Sequence, residues 1–219
     1  HLKLRAGTYQ MPHKFCKCGK QMLTAEHCLS CKHLRGVIIR HDVLVESLTQ
    51  MFLAAGKVAR SEVRVVAGTQ KRMDVVVYSG DSILWIDVSV VNPLAPSYIA
   101  NPKGALKARE QHKIRKWAAH AEQRGYTFLP FVVNVYGGLG GCAINVLQTL
   151  ARAALENYPY RMAISSVRWL AKFKAEAAQR VTANLAFINH LLLEEAKVRA
   201  LGKQLSSKFY KGARRLTQV

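Results

Sequence analysis

The stretch that decides the fold is Arg72-Met73-Asp74-Val75-Val76-Val77-Tyr78-Ser79-Gly80-Asp81-Ser82-Ile83-Leu84-Trp85-Ile86-Asp87-Val88-Ser89-Val90-Val91. Its β-branched and aromatic content predicts two strands, Arg72–Tyr78 and Ile83–Val91, joined by a tight turn. With Gly80 and Asp81 as the central residues of a primed hairpin turn, facing residues have numbers that add to 161, because each step outward conserves the sum. Asp74 and Asp87 meet that condition. They are predicted opposite one another on one face with β-carbons about 4.5–5.5 Å apart, too close for both to stay ionised without a cation between them. Hard oxygen ligands on a half-open face suit Mg2+ or Mn2+, which keep waters and accept a phosphate oxygen. The plainer alternative, in which each aspartate hydrogen-bonds locally or meets an arginine, stays open on these residues alone.

Working outward, Ser61–Ala67 reads as a preceding strand, set off by Gly68-Thr69-Gln70, so the three strands form a β-meander. Before them, Val45, Leu48, Phe52 and Ala55 recur at the helical period in Asp42–Ala55, and Gly56 stops the helix. Asp42 is the expected N-cap, with support of a metal site by His41 or Glu46 as the lesser alternative. After the third strand, Asn92-Pro93 and Ala95-Pro96 break the chain, and a helix is predicted over Ala105–Gln123, closed by Gly125. A fourth strand, Phe128–Tyr136, leads to a flexible turn of Gly137, Gly138, Gly140 and Gly141 and a helix over Ala143–Leu155. Beyond Pro159 the chain reads as helix in two or three segments. No acidic residue follows Glu195, while Lys197, Arg199, Lys203, Lys208, Lys211, Arg214 and Arg215 accumulate. The fold class is therefore α/β, a mixed sheet flanked by helices, divided into residues 1–36, 37–147 and 148–219.

Thirty-three Lys and Arg against thirteen Asp and Glu give the 219-residue chain a formal charge of +20, and 50% of it is apolar. A core can be buried, and the charge points to a polyanionic partner, most often nucleic acid. Apolar runs such as Phe131-Val132-Val133 break far short of the roughly 18 residues of a membrane-spanning helix. A basic membrane-surface protein fits poorly, since the positive charge is not confined to one amphipathic helix. The chain opens His1-Leu2-Lys3-Leu4-Arg5, with no initiating Met or apolar leader core, and reads as cut from something longer.

Four of the five cysteines, Cys16, Cys18, Cys28 and Cys31, crowd into sixteen residues with His27 and His33. The set Cys16, Cys18, His27 and Cys31 supplies three thiolates and an imidazole, a closed tetrahedral Zn2+ site of structural type. Cys28 or His33 could replace His27 or Cys31 in it, and free thiols in a basic arm are the plainer reading. Residues 1–36 lack a core and would need the metal to fold. Cys142, flanked by Gly141 and Ala143, reads as a buried structural thiol. Trp85, Trp117 and Trp169 read as packing residues.

A cationic helix follows the paired aspartates, carrying Lys107, Arg109, Lys113, Arg115 and Lys116, with Arg109 and Lys113 on one stripe. Such a run is often only a solvated face. A water attacking a phosphodiester, however, needs a cation to orient it and to offset charge in the transition state.

The order Arg72-Met73-Asp74, twelve residues, Asp87-Val88-Ser89-Val90, then Arg109-Glu110 and Lys113-Ile114-Arg115-Lys116-Trp117, resembles the PD-(D/E)XK nucleases. With the upstream Cys/His knuckle and Arg40-His41-Asp42, it resembles more closely the restriction-like endonuclease of target-specific non-LTR retrotransposon polyproteins, over roughly residues 14–140. The resemblance implies a restriction-endonuclease-like core in which Asp74 and Asp87 hold Mg2+ or Mn2+ and a lysine assists. Met73 stands where a proline is expected, and Ser89 where the family commonly has its lysine. In the retrotransposon branch that lysine looks relocated to the following helix, where Lys113 or Lys116 matches. Lys113 is preferred, with Glu110 one turn before it to hold the ammonium, while Arg72 facing Ser89 is the other candidate. Lys14, Lys17, Lys20, Lys32 and Arg35 of the knuckle, with Lys107, Arg109 and Arg115, would contact phosphates. The implied activity is nicking of duplex target DNA in the nucleus, leaving a 3′-hydroxyl for the reverse transcriptase portion of the same polyprotein, with the element's RNA as a further partner. The rival is a non-catalytic module of the same fold that only binds DNA or RNA.

Overall fold

The computed structural model describes residues 16, 18–19, 24–31, 36–66, 68–157 and 166–200. Its centre is the hairpin of β2 (Arg72–Ser79) and β3 (Ser82–Val91), turned at Gly80, whose φ of 57° lies in the left-handed region that glycine tolerates. Ser79 faces Ser82, Val77 faces Leu84 and Val75 faces Ile86, so the expected register holds. One step beyond the last paired residues lie Asp74 and Asp87. There the Val88 N–H turns to the Asp74 side chain, donating to Oδ2 at 2.6 Å.

An edge strand, β1 (Val58–Arg64), runs antiparallel to β2. It begins three residues before the predicted strand, two residues after Gly56, which turns the chain beyond helix α2 (Gly36–Ala54). Only Ala59 is buried along it, so no apolar alternation marked its start and the valines at 63, 65 and 66 drew the prediction downstream. Helix α3 (Ala105–Glu122) carries the chain across to β4 (Thr127–Asn134), which pairs parallel to β3 and completes the sheet order β1-β2-β3-β4. β4 ends before the predicted Tyr136 because the Asn134 Oδ1 accepts from the Tyr136 and Gly138 N–H groups, each at 2.9 Å, and closes a turn.

Strand periodicity divides the core. Val75, Val77, Ile86, Val88, Phe131 and Val133 face one side of the sheet and pack on α2 (Gly36–Ala54), α4 (Gly141–Asn157) and α5 (Ser166–Ala200). On the other side Val76 and Trp85 meet Trp117 and Ala121 of α3. Asp74 and Asp87 have the parity of Val76 and Trp85, so the α3 layer is the one that reaches them.

Two expectations need correction. Helix α2 starts at Gly36, and Asp42 is an exposed mid-helix residue rather than its N-cap. The β-branched run of Val37, Ile38 and Ile39 hid the first turns. The glycine run is a tight cradle rather than a loose turn, since a Cβ on Gly140 would overlap the Glu110 carboxylate and lie 3.2 Å from the Val132 carbonyl. Helix α5 is one continuous 35-residue helix, with Ala177, Val181, Leu185 and Ile188 keeping an apolar stripe on the core. The basic run from Lys203 onward lies outside the described residues, as do Lys14, Lys17, Lys20, Lys32, His33 and Arg35 and the surroundings of Trp169. Among the described residues no helix is long and apolar enough to cross a membrane.

Candidate functional site

Between the α3 layer and the mouth of the β2–β3 hairpin lies a cavity of about 260 Å³, lined by His41, Arg72, Asp74, Asp87, Ser89, Arg109, Lys113, Lys116 and Trp117. Strand register supplies the two carboxylates. Helix α3 supplies their surroundings, because Arg109, Lys113 and Trp117 follow at i, i+4 and i+8 and lie over the alternating pair Asp87 and Ser89 of β3. Lys113 Nζ is 2.5 Å from Asp87 Oδ1, and the buried Trp117 indole donates to Oδ2 at 2.6 Å. Arg109 Nε donates to the Ser89 hydroxyl at 3.2 Å.

Asp74 is held from the opposite side. His41 of α2 places Nε2 3.1 Å from Asp74 Oδ2, while its Nδ1 is 3.1 Å from Asp42 Oδ1. The hydrogen bond to Asp74 raises His41 to about 9, against the opposing effect of burial. Burial works against the charge on Asp74, but the hydrogen bond and charge of His41, with the Val88 N–H, bring its pKa below the ordinary value. Asp87 moves the other way: burial is the larger influence and raises it, Lys113 pulls it down, and neighbouring Asp74 adds to the rise. Two adjacent carboxylates thus differ in how readily each carries its charge.

Glu110 does not hold Lys113. It is buried on the other flank of α3, where its Oε1 accepts from the Cys142 N–H at 2.7 Å and satisfies the first turn of α4. Lys116 lies over the Trp117 ring, 4.7 Å from its centroid. Arg72 Nη1 is 3.9 Å from Glu62 Oε2. Lys107 and Arg115 are exposed on α3 outside the cavity lining. Two side chains of the site were underrated in the sequence, His41 because the helix start was placed after it, and Trp117 because an indole reads first as packing. The 109, 113, 117 stripe was the signal that would have placed Trp117 beside Asp87.

The second cluster lies at α1 (Ala25–Ser30). Thr24 caps this helix, accepting from the His27 N–H at 3.1 Å, and Gly19, with φ 72°, turns the chain after Cys18. The ligand atoms of Cys16, Cys18, His27 and Cys31 all lie within 4.8 Å of one another. Cys16 and Cys31 sulfurs are 3.8 Å apart, and Cys18 Sγ is 3.3 Å from His27 Nε2. Tetrahedral Zn–S bonds of about 2.3 Å put two sulfurs roughly 3.8 Å apart. The donor set therefore fits a zinc-like ion, and Cys28, buried beside it, is outside the set. Burial, chiefly, pushes the Cys16 thiol up to about 11.

Helix α1 is joined to the site by way of α2. Arg40, 2% exposed, donates through Nη2 to the Leu29 carbonyl and through Nη1 to Asn189 Oδ1 of α5 at 3.3 Å. Asn92, just after β3, donates to Ser30 Oγ at 2.6 Å.

No protein-family model matches this chain, and no curated protein is significantly similar to it.

Proposed function

We propose that the chain is a divalent-metal-dependent DNA endonuclease of the restriction-like class, the nicking part of a non-LTR retrotransposon polyprotein acting on nuclear DNA. The observation that carries this reading is the pairing of Asp74 and Asp87 at the mouth of a half-open cavity whose remaining charged lining is almost wholly cationic. Carboxylate oxygens on adjacent strands are the hard ligands Mg2+ or Mn2+ takes, and the cavity leaves room for its waters and a phosphate. When bound there, the cation polarises a phosphate oxygen and lowers the pKa of water at the site. Zn2+ in the Cys16, Cys18, His27, Cys31 cluster is structural, with all four positions taken by protein.

In this reading the chain's own residues do the following. His41 and the Val88 N–H fix the Asp74 carboxylate, and Trp117 and Lys113 fix Asp87, so both ligands are set before DNA arrives. Lys113 has donors beyond the one given to Asp87 and orients the attacking water. That water adds its oxygen to phosphorus, its proton leaves to solvent, and the P–O3′ bond breaks. The 3′ oxygen takes a proton, leaving a 3′-hydroxyl primer and a 5′-phosphate. Lys116 and the outer cations of α3, Lys107 and Arg115, meet the flanking backbone.

A second reading is a module that binds DNA or RNA within a nucleoprotein particle without cutting. It is favoured by the engagement of both Asp87 oxygens, by Lys113 and Trp117. Nicking of supercoiled plasmid with and without Mg2+ separates the two. Omitting Mg2+ is preferable to chelation, which would also strip the thiolate cluster. The nuclease reading expects Mg2+-dependent open circles that vanish in Asp74→Ala, with duplex affinity unchanged or slightly higher. Cutting by Asp74→Ala at the native rate would overturn it.

A further inference from the structure

Of the four Lys and Arg side chains that line the cavity, three have partners within the protein. Lys113, its side chain 12% exposed, is engaged by Asp87. Lys116 lies over the Trp117 ring, and Arg72 leans toward Glu62. Arg109 differs. Its Nε is anchored on the hydroxyl of Ser89, itself 4% exposed, and its two terminal nitrogens have no partner among the described residues.

A guanidinium held by Nε keeps its plane and direction while its outer nitrogens stay available. Two N–H groups side by side match two non-bridging phosphate oxygens, a geometry that an ammonium cannot offer. Holding the plane in advance also reduces the ordering cost when the anion arrives. Asp87 and Ser89 share one face of β3, so a phosphate on Arg109 lies beside the carboxylate pair.

We propose that Arg109 is the phosphodiester-binding fork of this cavity and that Ser89 is its positioning residue. This deepens the nuclease reading by assigning the contact to the phosphate that is cut, and it reassigns Arg109 from a general backbone contact to a directional one. Ser89 then serves as the seat of a cation that comes from the helix.

The test uses the full chain, a short DNA duplex in Ca2+ buffer for binding, and supercoiled plasmid in Mg2+ for nicking. Arg109→Ala is expected to weaken duplex binding about tenfold and to reduce the magnitude of the log K against log salt slope by about one. Arg109→Lys should keep the slope yet nick at least tenfold more slowly, because charge is retained and the fork is lost. Ser89→Ala should slow nicking several-fold in the native background and not at all in Arg109→Ala, which a merely structural serine would not do. If wild type never nicks but Arg109→Ala shows the lost affinity and slope, the fork stands and the nuclease reading falls. If wild type nicks and both Arg109 variants bind and nick as it does, the fork is wrong and the nuclease reading stands. Equal effects of Ser89→Ala in both backgrounds would overturn the role given to Ser89.

Discussion

Lys113 and Asp87 form an ion pair removed from solvent, with Nζ 2.5 Å from Oδ1 and side chains 12% and 8% exposed. An ammonium so placed works against the burial that raises Asp87.

Lys113→Ala would leave Asp87 buried beside Asp74 with no opposing charge. We expect the cleavage rate to fall about 10²-fold or more with duplex affinity within about threefold, the pattern of an interaction made mainly in the transition state. Stability at neutral pH should fall by roughly 3 kcal/mol, since breaking a buried pair strands one charge. Lys116→Ala, which removes only an exposed cation over Trp117, should weaken binding more than rate. Nicking kinetics and urea denaturation of both variants check this. Normal cutting by Lys113→Ala would remove it from the mechanism.

Glu110 and Gly140 make a second testable pair. The buried carboxylate satisfies the Cys142 N–H, and the space a Cβ on Gly140 would need is filled by that carboxylate. Glu110→Ala should cost about 1–3 kcal/mol, the penalty of an unsatisfied buried donor. Gly140→Ala should destabilise the native background more than it does the Glu110→Ala background, where the obstructing carboxylate is gone. A double-mutant cycle by urea denaturation reads the coupling, and strict additivity would contradict the contact.

The hairpin was legible because a two-residue turn and a period of two leave little freedom: once Gly80-Asp81 was placed, the register followed to Val75 and Ile86. The carboxylates followed from it. Glu110 was not legible, because its partner is a backbone N–H 32 residues away, which no spacing rule encodes. The start of α2 was lost for a different reason. Val37, Ile38 and Ile39 favour strand locally, whereas in the fold these turns pack as helix, with Ile39 and Val43 against Ile188 and Arg40 bonded to the Leu29 carbonyl and Asn189. His41 was undervalued as a result.

Metal content tests the knuckle. Purified without chelator, the chain should hold one Zn2+. Cys18→Ser and His27→Ala should lose it, while Cys28→Ala should keep it, since Cys28 lies outside the cluster although buried at 1%. Elemental analysis decides. Zinc lost equally in Cys28→Ala would return the ligand assignment to the alternatives open in the sequence.

Arg40 is a guanidinium 2% exposed whose Nε has no hydrogen-bond partner and whose pKa burial lowers to about 10. With no carboxylate beside it among the described residues, its hydrogen bonds to the Leu29 carbonyl and Asn189 are what compensate its desolvation. Leu29 lies two residues before Cys31 on the segment that carries the Cys/His cluster, and Arg40 precedes His41, which grips Asp74. Loss of Zn2+ would loosen the Leu29 carbonyl and leave the buried charge poorly satisfied, so chelation should lower the melting temperature of the strand core without unfolding it. Arg40→Met removes the charge and the link together. In that variant the core should melt at nearly the same temperature with and without Zn2+, even though the cluster still binds metal. Near-ultraviolet circular dichroism melts of both proteins, each with and without a thiolate-stripping chelator, give the comparison. An equal downward shift in native protein and Arg40→Met would show that the knuckle is coupled to the core by another route.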